Sequence, residues 1–293
     1  MWTMKTTRAL VALFSAMTAA TIASAQTIEF LFVTKLVDYD QTDATTATLI
    51  SNPYIVAASI DGTGLSGSFP VSPTVAVQNG TQSLITLTPD GNGWHIESSG
   101  YASQAALNTA YGSGTYTFQS SSFSNSVVNL SNADLYPNAP VATITTNSGL
   151  GLQWSGGVLI VNPSLFTTFT ITTNTFATNF NPALNHIGIN GDSFNTNVNA
   201  ESFNDADGVF SYNIATATFL GGSSSKSIEL EFNNIIDFFA NTPGAGNTSV
   251  SAFTSATKIS LQVIPEPSTY AAIFGALACL GVAFKRRRRW SAR

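Results

Sequence analysis

Hydrophobic and polar residues alternate along most of this chain with a period of two, the pattern of strands with one face buried. In "SIELEF" (227–232), Ile228, Leu230 and Phe232 fall on one side and Glu229 and Glu231 on the other, which predicts a half-buried strand with its carboxylates toward solvent. "TTFTITTN" (167–174) alternates in the same way around Phe169 and Ile171. "IEFLFVTKLV" (28–37) is apolar at both parities and suits a strand in a sheet covered on both sides. "TVAVQNGTQSLITLT" (74–88) sets Asn79-Gly80 between two alternating runs, a strong hairpin signal. Further strands are expected at 54–60, 114–118, 141–146, 157–161, 209–220 and 257–264, where Thr, Val, Ile, Phe and Tyr dominate. One short helix is expected in "SQAALNTAYG" (103–112), with Ser103 as N-cap, Leu107 and Tyr111 on one face and Gly112 as the stop.

This pattern predicts a mainly β protein of one or two antiparallel β-sandwiches, Ig-like or jelly-roll-like. "FPVSPTVAV" (69–77) and "YPNAPVATI" (136–144) share an aromatic-Pro-x-x-Pro entry to an alternating strand, a faint internal repeat. The Ser/Asn-rich "QSSSFSNSVVNLSNAD" (119–134) is the best boundary candidate. Two sandwiches are therefore expected, at residues 26–125 and 131–262, with one larger sandwich as the alternative.

Charge changes the picture at the two ends. Between Gln26 and Ile264 lie only Lys35, Lys226 and Lys258 against fifteen of the sixteen acids, a net charge of −12. So acidic a surface repels nucleic-acid phosphates, and no nucleic-acid partner is expected. The N-terminus has a basic start, "MWTMKTTR", an apolar run too short to span well, and "ASA" at 23–25. That is a secretory signal peptide over residues 1–25, cleaved between Ala25 and Gln26.

At the other end, Pro265, Glu266 and Pro267 precede 17 uncharged residues, 268–284, and then Lys285, Arg286, Arg287, Arg288 and Arg289. The two prolines keep "IPEP" extended and outside any following helix. As a helix the uncharged run measures about 26 Å, just short of a ~30 Å hydrocarbon core, so it predicts a single transmembrane helix with little to spare. The basic cluster is held on the cytoplasmic side, and residues 26–264 lie outside.

This order of parts, within Val263 to Arg289, resembles the PEP-CTERM sorting signal of Gram-negative bacteria. The resemblance implies export, transient residence in inner-membrane lipid, recognition of Pro265, Glu266 and Pro267 by an exosortase, and delivery to the cell surface or an exopolysaccharide matrix. It concerns sorting and does not reach the exported region.

Reactive parts are few. Cys279 is the only cysteine and lies in the predicted membrane helix, so the exported region forms no internal disulfide. His95 and His186 sit beside strand-like runs, where surface or structural roles are expected. Glu229 and Glu231 have the spacing of an ordinary exposed strand rather than of a glycosidase pair. No catalytic or nucleotide-binding motif is present, so no enzyme activity and no cofactor are expected. The weak calcium candidates are Asp205 and Asp207 in "NDADG", with Asp38, Asp40 and Asp43 in "DYDQTD"; the full calcium-loop pattern fails because Phe203 and Ile214 fall at ligand positions. Trp94 and Trp154 are candidates for a glycan-stacking platform. The expectation is a non-enzymatic exported protein of the cell surface or exopolysaccharide matrix, with a carbohydrate-binding module on the same sorting system as the alternative.

Overall fold

Leu31, Val33 and Val37 on one face and Phe32 and Leu36 on the other all lose their contact with solvent in β1 (Thr27–Gln41), as a strand apolar at both parities requires. The computed structural model describes residues 27–63, 72–90, 93–121, 123–130, 133–176, 185–194, 198–203, 208–219, 223–240 and 248–264. The expected signal peptide and the segment from Pro265 onward, with the expected sorting triplet, the apolar run and the basic cluster, lie outside them, as do Asp205 and Asp207.

After β1 come β2 (Ala47–Thr63), β3 (Thr74–Val77), β4 (Leu84–Thr86), β5 (Thr88–Asp90) and β6 (Gly93–Glu97). The helix α1 (Gln104–Ala110) then leads to β7 (Gly114–Ser120), β8 (Phe123–Leu130), β9 (Ala142–Thr146), β10 (Leu152–Ser155) and β11 (Val158–Val161). The chain continues through β12 (Thr168–Thr173), β13 (Asn185–Asp192), β14 (Val198–Phe203), β15 (Ser211–Ala215), β16 (Ser225–Ala240) and β17 (Thr248–Val263).

A ten-stranded sheet forms the frame, in the order β14-β13-β16-β17-β1-β2-β6-β5. Neighbours in it are antiparallel except at β17, whose one edge carries β1 in parallel from Phe30↔Thr248 to Gln41↔Ile259. Beyond the end of β1, β11 takes over the same edge, again in parallel, at Leu159↔Leu261 to Val161↔Val263, and brings β10 with it.

Two smaller sheets cover one face of this frame, called here the inner face. The four-stranded sheet β4-β3-β7-β8 packs Val75, Val77, Tyr116, Phe118, Val128 and Leu130 against Leu31, Val33, Val56, Ala58, Ile60 and Phe253. The three-stranded sheet β15-β12-β9 packs Phe169, Ile171 and Ile214 against Ile228, Leu230, Ile259, Leu261 and Val263. Between them residues 133–141 cross the frame as a strap. Asn234 Nδ2 donates to the Leu135 carbonyl at 2.8 Å, Ser255 Oγ to that of Pro137 at 2.7 Å, and the Tyr136 ring meets Phe253 edge-on at 5.1 Å.

Among the described residues the two largest hydrophobic clusters lie under the two small sheets, and they share the frame instead of standing apart. β17 is long enough to serve both, giving Phe253 to one and Ile259, Leu261 and Val263 to the other. The Ser/Asn-rich boundary candidate holds a strand, β8, in which Ser126, Val128 and Leu130 are buried in alternation with exposed neighbours. Its asparagines, Asn125 and Asn129, occupy the outward parity, which composition alone does not reveal.

Candidate functional site

The tryptophans do not form one platform. Trp94 in β6 pairs with Ile60 and is 4% exposed inside the first core, so its ring offers no face for a sugar to stack on. That corrects its candidacy as a glycan contact: the inward parity of β6 places it under the small sheet. Trp154, in the β10–β11 hairpin, is half-buried against the second core. Asp43 Oδ1 accepts from the Thr45 and Thr46 amides, both at 2.8 Å, and so closes the turn after β1. Among the described residues no group of three or more His, Cys, Asp or Glu is placed to hold a metal ion.

The outer face of the frame corrects a second expectation. Glu231 does not face solvent. It pairs with Ala256 and Gly188 across the neighbouring strands, is 1% exposed, and takes a bond from Asn233 Nδ2 at 3.4 Å. Alternation predicted its side of the strand correctly but not that this side is buried. Burial pushes the Glu231 carboxyl well above the ordinary carboxylate range, with Glu201 and Asp38 adding repulsion. Asp38, on the same face of β1, is pushed up to about 8, first by burial and then by Glu229, Glu97 and Asp40.

Beside these acids a line of side-chain hydrogen bonds crosses four adjacent strands. Thr254 Oγ1 in β17 donates to Asn233 Oδ1 in β16 at 2.6 Å, which orients the amide so that its Nδ2 donates to His186 Nδ1 in β13 at 3.0 Å. Thr34 Oγ1 in β1 reaches Thr254 Oγ1 at 3.1 Å and the Ala252 carbonyl at 3.1 Å. Burial lowers the His186 pKa to about 3, so the ring is neutral and accepts at Nδ1. The line ties four strands into register; none of its members is an activated nucleophile.

The inner face holds a cluster of another kind. Lys35 points from the middle of β1 into the first core and is 0% exposed. Its Nζ donates to Asn108 Oδ1 at 2.5 Å and to Ser113 Oγ at 3.1 Å, and stands 3.9 Å from Asp134 Oδ1. Asn108 Nδ2 in turn donates to Asp134 Oδ2 at 2.6 Å. Burial lowers the Lys35 pKa to about 8 against the opposing pull of Asp134.

Local sequence places each partner. Ser103 caps α1, its Oγ accepting from the Ala106 amide at 3.2 Å, and Leu107 and Ala110 bury the helix face that flanks Asn108. The loop after β3 clamps the end of α1: the Gly112 amide donates to the Asn79 carbonyl at 2.7 Å and Asn79 Nδ2 to that of Ser113 at 2.8 Å. Asp134 comes from the strap. The expected helix and the β3–β4 hairpin are both present, and together they build this cluster, which motif search missed. Its one legible sign is a lysine within "LFVTKLV", a strand predicted to be covered on both faces. Asn108 and Asp134 carry no sign of their own.

The frame and its two covering sheets define a mainly β protein with antiparallel pairing throughout except along one edge of β17. No protein-family model matches the chain, and no curated protein does. Among solved structures, one from work on host cell surface retention of a 1.5-MDa bacterial ice-binding adhesin matches at 13% identity and a TM-score of 0.20. The match covers 80% of this chain and 65% of that one. Similarity at that level defines neither fold nor function.

Proposed function

We propose that this chain is an exported, non-enzymatic protein of the cell surface or exopolysaccharide matrix, sorted through a PEP-CTERM-type signal and released by an exosortase. The observation that carries the reading is the order of parts after β17: Pro265-Glu266-Pro267, the uncharged residues 268–284, and Lys285 to Arg289. Two further features support it. The region from Gln26 to Ile264 has no cysteine and a net charge of −12, and the histidine and the paired carboxylate that an enzyme reading would use, His186 and Glu231, are buried. In this reading the apolar run holds the chain in the inner membrane with the β region outside, until cleavage near the triplet frees it. Among the described residues no helix is long and apolar enough to cross a membrane; the run itself lies outside them. The glycan-binding alternative loses Trp94 to the core and is left with Trp154 alone.

Mass spectrometry of the protein recovered from the cell surface tests the reading. Residues 1–25 and everything beyond the Pro-Glu-Pro region should be missing. Surface material that retains Lys285 to Arg289 overturns it.

A further inference from the structure

A primary amine, a carboxamide and a carboxylate meet where buried Lys35 and the half-buried Asn108 and Asp134 converge. The carboxylate bridges the other two: Asp134 Oδ2 holds the Asn108 amide nitrogen at 2.6 Å, while Oδ1, buried and without a hydrogen bond of its own, lies 3.9 Å from the Lys35 amine. The amine itself is 2.5 Å from Asn108 Oδ1. Since a carbonyl bond is about 1.23 Å long, the carboxamide carbon is at most about 3.7 Å from Nζ, close to the separation of a near-attack arrangement.

We propose that Lys35 and Asn108 are joined by an amide bond that the protein forms on itself, with Asp134 carrying the proton. The neutral amine of Lys35 attacks Asn108 Cγ, and the carbonyl electron pair moves onto Oδ1. Asp134 takes the proton released by Nζ and delivers it to Nδ2, the atom its other oxygen already holds. The bond from Cγ to Nδ2 breaks, ammonia leaves, and the carbonyl re-forms as Nζ–C(=O). One amine and one primary amide become one secondary amide and one ammonia, and Asp134 ends as it began. No oxidant, metal or second substrate enters.

Three features of the site serve this reaction. Burial lowers the proton affinity of Lys35, so that an appreciable fraction of the amine is unprotonated near neutral pH, where an exposed lysine is almost wholly charged. The Lys35 side chain is itself shut off from solvent. The frame, the capped helix and the clamped loop hold both reactants in place, and such intramolecular placement corresponds to effective concentrations of roughly 10⁵–10⁸ M. Lys226 makes a useful contrast. It too is buried, but its Nζ donates to the Ser193 backbone carbonyl at 2.8 Å and lies over the Phe194 ring.

The product would give this chain a covalent staple where cysteine supplies none. It would close the segment from β1 to α1, 73 positions apart, tying a central strand of the frame to the helix above it. Cross-links of that span act mainly on the unfolded chain, by removing conformations it could otherwise reach.

Peptide mapping of the full-length protein, purified folded, then denatured and digested with chymotrypsin, decides the matter. The expected result is a branched peptide pair containing Lys35 and Asn108, lighter than the sum of its parts by about 17 Da, the mass of ammonia. Cyclisation of an N-terminal Gln26 loses the same mass, so the loss must be located on the pair itself. Asn108→Ala should return Lys35 to an unlinked peptide. Asp134→Asn, which keeps the shape but not the proton carrier, should leave Lys35 and Asn108 unlinked or link them far more slowly. An unlinked Lys35 in the folded wild-type protein overturns the proposal, whatever the variants do. Linkage at the wild-type rate in Asp134→Asn removes Asp134 from the reaction.

Discussion

The side chain of Gln41 and the backbone of Ala142 exchange two hydrogen bonds: Gln41 Nε2 donates to the Ala142 carbonyl at 2.9 Å, and the Ala142 amide donates to Gln41 Oε1 at 2.8 Å. The amide at the end of β1 thereby acts as a strand partner for the start of β9, joining the frame to the small sheet above the second core. Both residues are 1% exposed. Gln41→Met keeps most of the volume and leaves a buried donor and acceptor unpaired, which should cost about 2–4 kcal/mol. Urea unfolding should show a lower midpoint with an unchanged slope.

Asp38 makes stability fall as pH rises. Its carboxyl is pushed up to about 8 when folded and returns to the ordinary 3.8 when unfolded, so between those values the folded state holds the proton more tightly. The stabilisation is complete below about 4 and is lost as pH climbs through 8. Thermal melting should therefore give a higher Tm at pH 5 than at pH 8. Asp38→Asn should flatten that dependence, while repulsion among the remaining acids leaves a smaller slope of the same sign.

Gly80 is confined by both conformation and space. Its φ is +121°, and a Cβ there would lie 2.4 Å from the Ala110 carbonyl oxygen, a backbone atom at the end of α1. Gly80→Ala should destabilise by about 2 kcal/mol or more, since neither the loop nor the helix end can yield without breaking the clamp between them. A drop in Tm of several degrees by calorimetry is the expected reading.

The two tryptophans should separate cleanly. Trp94→Ala empties part of the first core and should cost about 3–5 kcal/mol. Trp154→Ala, at a half-buried hairpin position, should cost less than half as much. Denaturant unfolding of both variants measures the difference, and equal effects would contradict the burial that distinguishes them.

The legibility of this fold followed parity. Period-two alternation located β12 and β16 because one face of each is apolar, and the double-sided apolar run of β1 announced a central strand. Alternation cannot say what lies over the second face. Glu229 and Glu231 looked solvent-facing because carboxylates usually are, yet the middle of this sheet is buried on both sides and Glu231 is buried with it. Polar composition misled in the same way at β8, where Ser126 sits inside and asparagines sit outside. The Lys35 cluster was beyond reach for another reason: its three members come from a strand, a helix and a strap that only the folded topology brings together.

The parallel pairing of β1 with β17 fixes when folding can finish. Thr34 and the Ala252 carbonyl it reaches are 218 positions apart, so the first strand acquires its second neighbour only after nearly the whole chain has been synthesised. Pairing at such separation is slow to form, and until it does β1 keeps one bare edge. A chain built this way keeps its frame open until β17 has been made, and then closes it around that strand.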